Sequence, residues 1–234
     1  MVKKDLPGKA AGDMSRLDPN RITSQGGLSR ASAGRLSLYL RCLEGFKREG
    51  IGKVSSGQLG EAVGVSDAQV RKDLAGLGSL GQPGIGYAAP ELMAAIRRTL
   101  GIDREWKAVL VGVGNLARAL LRYRGFQQQG FRLVALCDTD PTKVGQVLEG
   151  LTVKPMDDVS EVVSQTGAEL GVVTVPAEAA QAVADQLALA GVRGILNFAP
   201  AVLKMPPGVS LVTVDLTVQL EQLAFLVQWS SESG

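Results

Sequence analysis

Apolar positions fall into two regimes along this chain. From Arg35, the residues Leu36, Leu40, Leu43 and Phe46, with Tyr39 beside them, recur at helical spacing, while Arg41, Glu44, Lys47 and Arg48 take the other face. Gly50 and Gly52 stop this helix. Ser55 followed three residues on by Gln58 has the spacing of a capping box and opens a second helix carrying Leu59, Ala62 and Val63 inward, which Gly64 ends. Ser66 and Gln69 repeat that spacing, with Val65 and Val70 placed as a hydrophobic staple and Val70, Leu74 and Leu77 as the inner stripe. Two helices joined by a few residues containing a glycine predict a helix-turn-helix. The segment GLGSLGQPGIGY then calls for a tight hairpin, and Pro90 opens a further helix closed by Gly101. Helix, helix-turn-helix, glycine hairpin and helix together predict a winged helix.

Beyond a linker at 101–107 the pattern changes to alternating strand and helix: AVLV, NLARALLRY, RLVALCD, PTKVGQVL, ELGVVTV, AEAAQAVADQLALAG, GILNF and VSLVTVD. Strands that are apolar on both faces, separated by helices, predict a parallel sheet covered on both sides. The last segment, Leu216 to Trp229, is apolar around most of a helical circumference. Such a helix needs burial on most sides, and at the end of a chain of 234 residues a partner subunit is the expected cover. The fold class is therefore α/β: an N-terminal winged helix plus a C-terminal Rossmann domain with a terminal helix exchanged in a homodimer. Expected boundaries are a disordered basic arm at 1–30, the winged helix at 31–101, the Rossmann domain at 102–215 and the dimerisation helix and tail at 216–234.

Charge sharpens this division. Residues 1–100 carry 15 Lys and Arg against 9 Asp and Glu, and residues 101–234 carry 10 against 14, although the whole chain is only +2. A basic first half is the footprint expected of a domain that meets nucleic-acid phosphates. The chain has no histidine, which removes the commonest metal ligand and the commonest neutral-pH general base. Cys42 and Cys137 lie far apart in apolar segments, as buried reduced thiols do. No apolar run has the length of a membrane span and the N-terminus lacks the apolar core of a secretory signal, so a cytoplasmic protein with no metal and no membrane partner is expected.

The sharpest chemical motif is Gly112-Val113-Gly114-Asn115-Leu116-Ala117, directly after a strand and opening a helix. The first glycine permits the tight turn, the second lets a pyrophosphate approach the backbone, and a small residue at 117 allows close packing of helix on strand. Free N–H groups and the positive end of the helix dipole then face the phosphates. Asp138 closes the next strand, 26 positions beyond Gly112, where an acid accepts from the adenosine ribose hydroxyls and disfavours a 2′-phosphate. In the N-terminal half, the helix from Asp67 to Leu77 turns Gln69, Arg71 and Lys72 outward, side chains suited to base edges and phosphate.

Taken together, VSSGQLGEAVGVSDAQVRKDLAGLG, the PGIGY wing, GVGNLARALLRYRGF, DTDPTKVG, TVPAEAAQAVADQLALAGVRGILNFAP and VDLT resemble the Rex family of redox-sensing transcriptional repressors, from about Arg35 to Val227. The resemblance implies a homodimer that binds palindromic double-stranded operator DNA when NAD+ prevails and is released by NADH, with no enzymatic role. It also implies that Gly112, Val113, Gly114, Asn115, Leu116 and Ala117 meet the pyrophosphate, and that Asp138 and Lys143 stand at the adenosine end. Val175, Pro176, Asn197 and Phe198 would line the nicotinamide side. Arg35, Ser66, Gln69, Arg71, Lys72, Gly84 and Tyr87 would meet DNA. Arg41, Tyr123 and Asp215 would form a switch in which Asp215 pairs with Arg41 in one state and with Tyr123 in the other, Tyr123 also standing at the cofactor site.

Two departures stand out. Pro83 occupies the wing where relatives present a basic residue, and AGL at 75–77 replaces a more aromatic run. Pro83 can make no charged contact with a phosphate or groove. Two rival functions follow: an NAD-dependent oxidoreductase on the same fold, which the missing histidine disfavours, and an NAD(H)-responsive adaptor with weakened DNA binding.

Overall fold

The computed structural model describes residues 28–78, 80–82 and 85–232, and the chain divides into two compact units after Asp103. Pro83, Gly84 and the expected arm up to residue 27 lie outside the described residues.

In the first unit, α1 (Arg30–Arg48) starts upstream of the first apolar repeat because Ser29 caps it, its hydroxyl accepting from the Ser32 N–H. Residues 28–30 are thus part of the folded unit, with Leu28 packed on its core, and not of an arm. A two-residue strand, β1 (Lys53–Val54), follows, then α2 (Ser56–Val63) and α3 (Asp67–Ala75). The Ser55–Gln58 capping box is complete in both directions, and Gly64 ends α2 in the left-handed conformation. A hairpin of β2 (Gly81–Gln82) and β3 (Gly86–Ala88) leads into α4 (Ala89–Leu100), with β3 pairing antiparallel to both β1 and β2. Leu36, Tyr39, Leu40 and Leu43 of α1 close one core with Leu59, Val70, Leu74, Leu92 and Ile96. This is the predicted winged helix, with β1 added: two residues between glycines and a cap are too short for an alternation to be seen.

The second unit is built on β4 (Trp106–Val111), which α5 (Asn115–Arg122) follows directly. After the short α6 (Gly125–Gln128) come β5 (Phe131–Asp138), β6 (Val147–Leu148), β7 (Leu151–Pro155), α7 (Val159–Thr166), β8 (Leu170–Val173), α8 (Ala177–Leu189), β9 (Gly194–Asn197), β10 (Ser210–Thr213) and α9 (Leu216–Glu232). The sheet order is β10-β9-β8-β4-β5-β7-β6, parallel except for the β6–β7 hairpin. Alternate residues of β4 serve opposite faces: Ala108 and Leu110 pack with Ala117 of α5, while Val109 and Val111 pack with Val162 of α7 and Val183, Ala184 and Leu187 of α8. The chain runs outward through β5 and β7, then returns to β8 on the other side of β4. The strand order therefore reverses between β4 and β8, the position where open α/β sheets bind ligands at the strand C-termini.

PTKVGQVL, predicted as a helix, is instead a series of turns ending in β6. Gly145 at φ +85° interrupts any helix there, and the Glu149–Gly150 turn folds β6 back on β7. The helix between these strands and β8 is α7, whose apolar residues Val159, Val162 and Val163 are buried.

Candidate dinucleotide site and nucleic-acid interface

The C-terminal end of β4 turns sharply at Gly112, where φ is +92° and a Cβ would lie 2.7 Å from the Thr174 carbonyl oxygen and 2.6 Å from a Val175 methyl carbon. Only glycine fits that crossing. Gly114 is different: a Cβ there would meet nothing within 4 Å, so the backbone that opens α5 faces open space. Gly114 itself caps α5 without any side-chain hydrogen bond, leaving the first-turn N–H groups to an external acceptor. Asn115 and Leu116 are exposed beside this opening, whereas Val113 and Ala117 are buried under it. Ala117 stands in the helix–strand contact, where a larger side chain would overpack by about 1–3 kcal/mol.

Asp138 is buried at the end of β5 and ties three segments together. Its Oδ2 accepts from the Val113 N–H at 2.6 Å and from Lys143 Nζ at 3.2 Å, and its Oδ1 accepts from the Asp140 N–H at 2.9 Å. Burial alone would push this carboxyl up, but the two backbone N–H groups and Lys143 outweigh it and hold the carboxyl below its ordinary value. Three donors occupy most of the roughly four acceptor positions of a carboxylate, which leaves space for one ribose hydroxyl and not two. Lys143 also lies 3.5 Å from Asp140.

Opposite this turn, Thr174 at the end of β8 donates its hydroxyl toward the carbonyls of Val111 and Gly112, at 3.0 and 2.7 Å. Thr174 escaped the sequence reading because nothing local marks a hydroxyl that seals a neighbouring strand's turn. Val175 is half-buried and Pro176 exposed beside it. Asn197, expected to line the ligand, is fully buried: its amide nitrogen donates to the carbonyls of Ala199 and Ala201, and its Oδ1 accepts from the Ala199 N–H. Its side chain is thus consumed in shaping the loop after β9, which carries the half-buried Phe198. Tyr123 lies at the other end of α5, about 12 Å along the axis from the phosphate-facing turn for a helix of this length. It is 56% exposed, edge-on to Phe126. Asp215 precedes α9, its Oδ1 accepting from the N–H groups of Thr217 and Val218.

In the first unit, Ser66 caps α3 by accepting from the Gln69 N–H. Lys72 and Arg71 are exposed on that helix, Arg71 in an i, i+4 pair with Asp67 at 2.6 Å and near Ser56. Gln69 turns its amide to Asp73 instead of outward, and Arg35 places its guanidinium on the same buried carboxylate. Asp73 is therefore a functional candidate outside the residues that the sequence singles out. Tyr87 is half-buried in β3, its ring lying where a side chain at Gly81 would stand. Arg41 is exposed on α1.

Two family descriptions match the chain: "CoA binding domain" over residues 103–201 and "Putative DNA-binding protein N-terminus" over residues 27–75. The redox-sensing transcriptional repressor Rex of Rhodopirellula baltica is 47% identical over 201 residues, covering 86% of this chain and 85% of that protein. The chain belongs to the Rex family. Other Rex proteins that match are likewise named redox-sensing transcriptional repressors and not enzymes. Among solved structures, this Rex-family chain is similar to RSP, a Rex-family repressor, in complex with β-NAD+ and operator DNA, at 32% identity and a TM-score of 0.82, covering 87% of this chain and 94% of that one. RSP in complex with β-NADH matches at 30% identity and a TM-score of 0.79, covering 87% and 96%. The Rex relationship thus spans both units.

Proposed function

We propose that the chain acts in the cytoplasm as a homodimeric redox-sensing repressor that holds palindromic operator DNA through two winged helices and lets go when NADH occupies the second unit. One observation carries this reading: the open backbone at Gly114, at the strand-order reversal, lies in the same chain as a helix-turn-helix whose second helix exposes Arg71 and Lys72. The relationship to RSP, crystallised with β-NAD+ and operator DNA, supports it.

The N–H groups of the first turn of α5 would donate to the pyrophosphate, which the absence of a side chain at Gly114 admits. Asp138 would accept one ribose hydroxyl while keeping the turn closed through Val113. Val175, Pro176 and Phe198 would border the nicotinamide, with Asn197 fixing the loop that carries Phe198. Reduction changes the nicotinamide by a hydride and one charge, and the protein responds only through the difference in affinity between its two states. Coupling of about 1–3 kcal/mol would change DNA affinity roughly 5- to 150-fold.

On the DNA side, Arg71 is held by an exposed ion pair with Asp67, which water already weakens, so it can exchange that partner for a base edge. Lys72 would hold phosphate. The second copy is called for by α9, whose apolar residues Leu216, Val218, Leu220, Leu223, Phe225, Leu226, Val227 and Trp229 are all at least 40% exposed in the single chain. A continuous exposed apolar helix marks an interface.

Titration calorimetry with NADH, NAD+ and NADPH tests the ligand half of the proposal. Tight NADH binding with NADPH excluded is expected from Asp138. Equal binding of NADPH, or no binding of NADH, would refute it.

A further inference from the structure

The Asp73 carboxylate is only 2% exposed, yet it lies on the helix proposed to read DNA, beside Lys72 and two residues from Arg71. Four donors fill it. Arg35 gives Nε to Oδ2 at 2.6 Å and Nη2 to Oδ1 at 2.7 Å; Tyr39, itself fully buried, gives its hydroxyl to Oδ2 at 3.0 Å; Gln69 gives its amide to Oδ1 at 3.0 Å. Arg35 is steadied in turn by the Ser32 hydroxyl at 3.1 Å. Arg35 holds the carboxyl below the ordinary carboxylate range despite its burial, and burial pushes the Tyr39 hydroxyl up to about 12, so both remain in the charge states this network needs.

A two-point guanidinium–carboxylate pair fixes orientation as well as distance, because both N–H···O bonds must stay aligned. A buried ion pair of this kind is weak evidence for stability, since an apolar pair of similar volume often does as well. What it supplies here is geometry. With about 100° between successive helical residues, a carboxylate held inward at 73 fixes the directions in which Lys72 and Arg71 leave the helix.

We propose that Arg35, Tyr39 and Asp73 form a clamp between α1 and α3 that sets the rotation of the reading helix. Arg35 and Asp73 are then positioning residues for operator recognition and not DNA ligands, although Arg35 belongs to the set that the family resemblance assigns to DNA. The inference rests on the proposed repressor function.

The test uses the full chain and fluorescence anisotropy on two duplexes: a palindrome selected by the wild-type chain from a random pool, and a scrambled duplex of equal length, each over a salt series. Arg35→Lys, Arg35→Ala, Asp73→Asn and Lys72→Ala are compared with wild type. Failure of the wild-type chain to select any palindrome would sink the repressor reading itself. With wild-type selection in hand, the clamp predicts that Arg35→Lys and Asp73→Asn each lose about 10-fold or more in operator affinity, as expected for hydrogen bonds to charged groups. Binding to the scrambled duplex, and the slope of log K against log salt, should stay near wild type. Lys72→Ala removes one phosphate contact from each copy and should instead lower the slope by about 1.8 for the dimer.

Arg35 as a phosphate ligand gives the opposite pattern: Arg35→Lys retains operator affinity, Arg35→Ala lowers the salt slope as Lys72→Ala does, and Asp73→Asn binds as tightly as wild type. That result would overturn the clamp. Should Asp73→Asn fail to fold, Arg35→Lys decides alone, because lysine keeps the charge but cannot make the two-point contact.

Discussion

The Val113 N–H donates to Asp138 at 2.6 Å, so the strand β5 acid holds the glycine turn at the end of β4 closed. Asp138→Asn keeps the shape and loses the charge. It should raise the Kd for NADH about 10- to 100-fold, the worth of hydrogen bonds to a charged group, with little change in operator binding of the ligand-free protein. Calorimetry and anisotropy on one preparation check both parts.

Gly112 and Gly114 should fail differently. An alanine at 112 would be forced to φ +92° and against the Thr174 carbonyl, so it should destabilise the second unit by about 1–3 kcal/mol or more in urea unfolding. An alanine at 114 meets no atom within 4 Å and should leave unfolding unchanged while weakening NADH binding, because its methyl group takes the place of the pyrophosphate. Equal destabilisation by the two would contradict the site.

Phe225 and Trp229 stack on one another at 5.9 Å along α9 and are both largely exposed in the single chain. Phe225→Glu together with Leu226→Glu should therefore turn a dimer into a monomer in sedimentation equilibrium. Operator affinity should fall with it, because two half-sites are then no longer bound as a unit.

The acid limb of stability should carry the Asp73 clamp. Its folded pKa is depressed, so its contribution is complete above the unfolded value of about 3.9 and is lost as pH falls through that value and the folded one. Between pH 7 and 5 the first unit should show no loss from this source. Asp73→Asn should flatten the decline below pH 4 in thermal unfolding followed by circular dichroism.

Arg41 is exposed on α1, and Asp215 caps the start of the proposed dimer helix through Thr217 and Val218. Arg41→Glu should leave NADH binding intact and uncouple it from DNA release. Normal NADH-dependent release in that variant would remove Arg41 from the switch.

The sequence announces what is local. Ser55 with Gln58 caps α2, Ser66 caps α3, Pro90 stands in the first turn of α4, and Gly64, Gly76 and Gly101 end these three helices, so the helices of the first unit could be placed from spacing alone. The Gly112–Ala117 turn was legible because its glycines and small residue stand in six consecutive positions between a strand and a helix. What stayed hidden depends on partners far away. Asp73 reads as a solvated acid until Arg35, 38 residues earlier, folds against it. Asn197 reads as a ligand-facing amide until the following loop consumes it. PTKVGQVL reads as a helix because Val144, Val147 and Leu148 mimic helical spacing, whereas Gly145 and the Glu149–Gly150 turn decide against it.

The most direct measurement is anisotropy of the wild-type chain on a selected palindromic duplex at fixed salt, without nucleotide, with NAD+ and with NADH. Tight binding that persists in NAD+ and falls at least fivefold in NADH is the predicted result, the lower bound of ordinary coupling. DNA binding indifferent to NADH, with NADH demonstrably bound, would contradict the account.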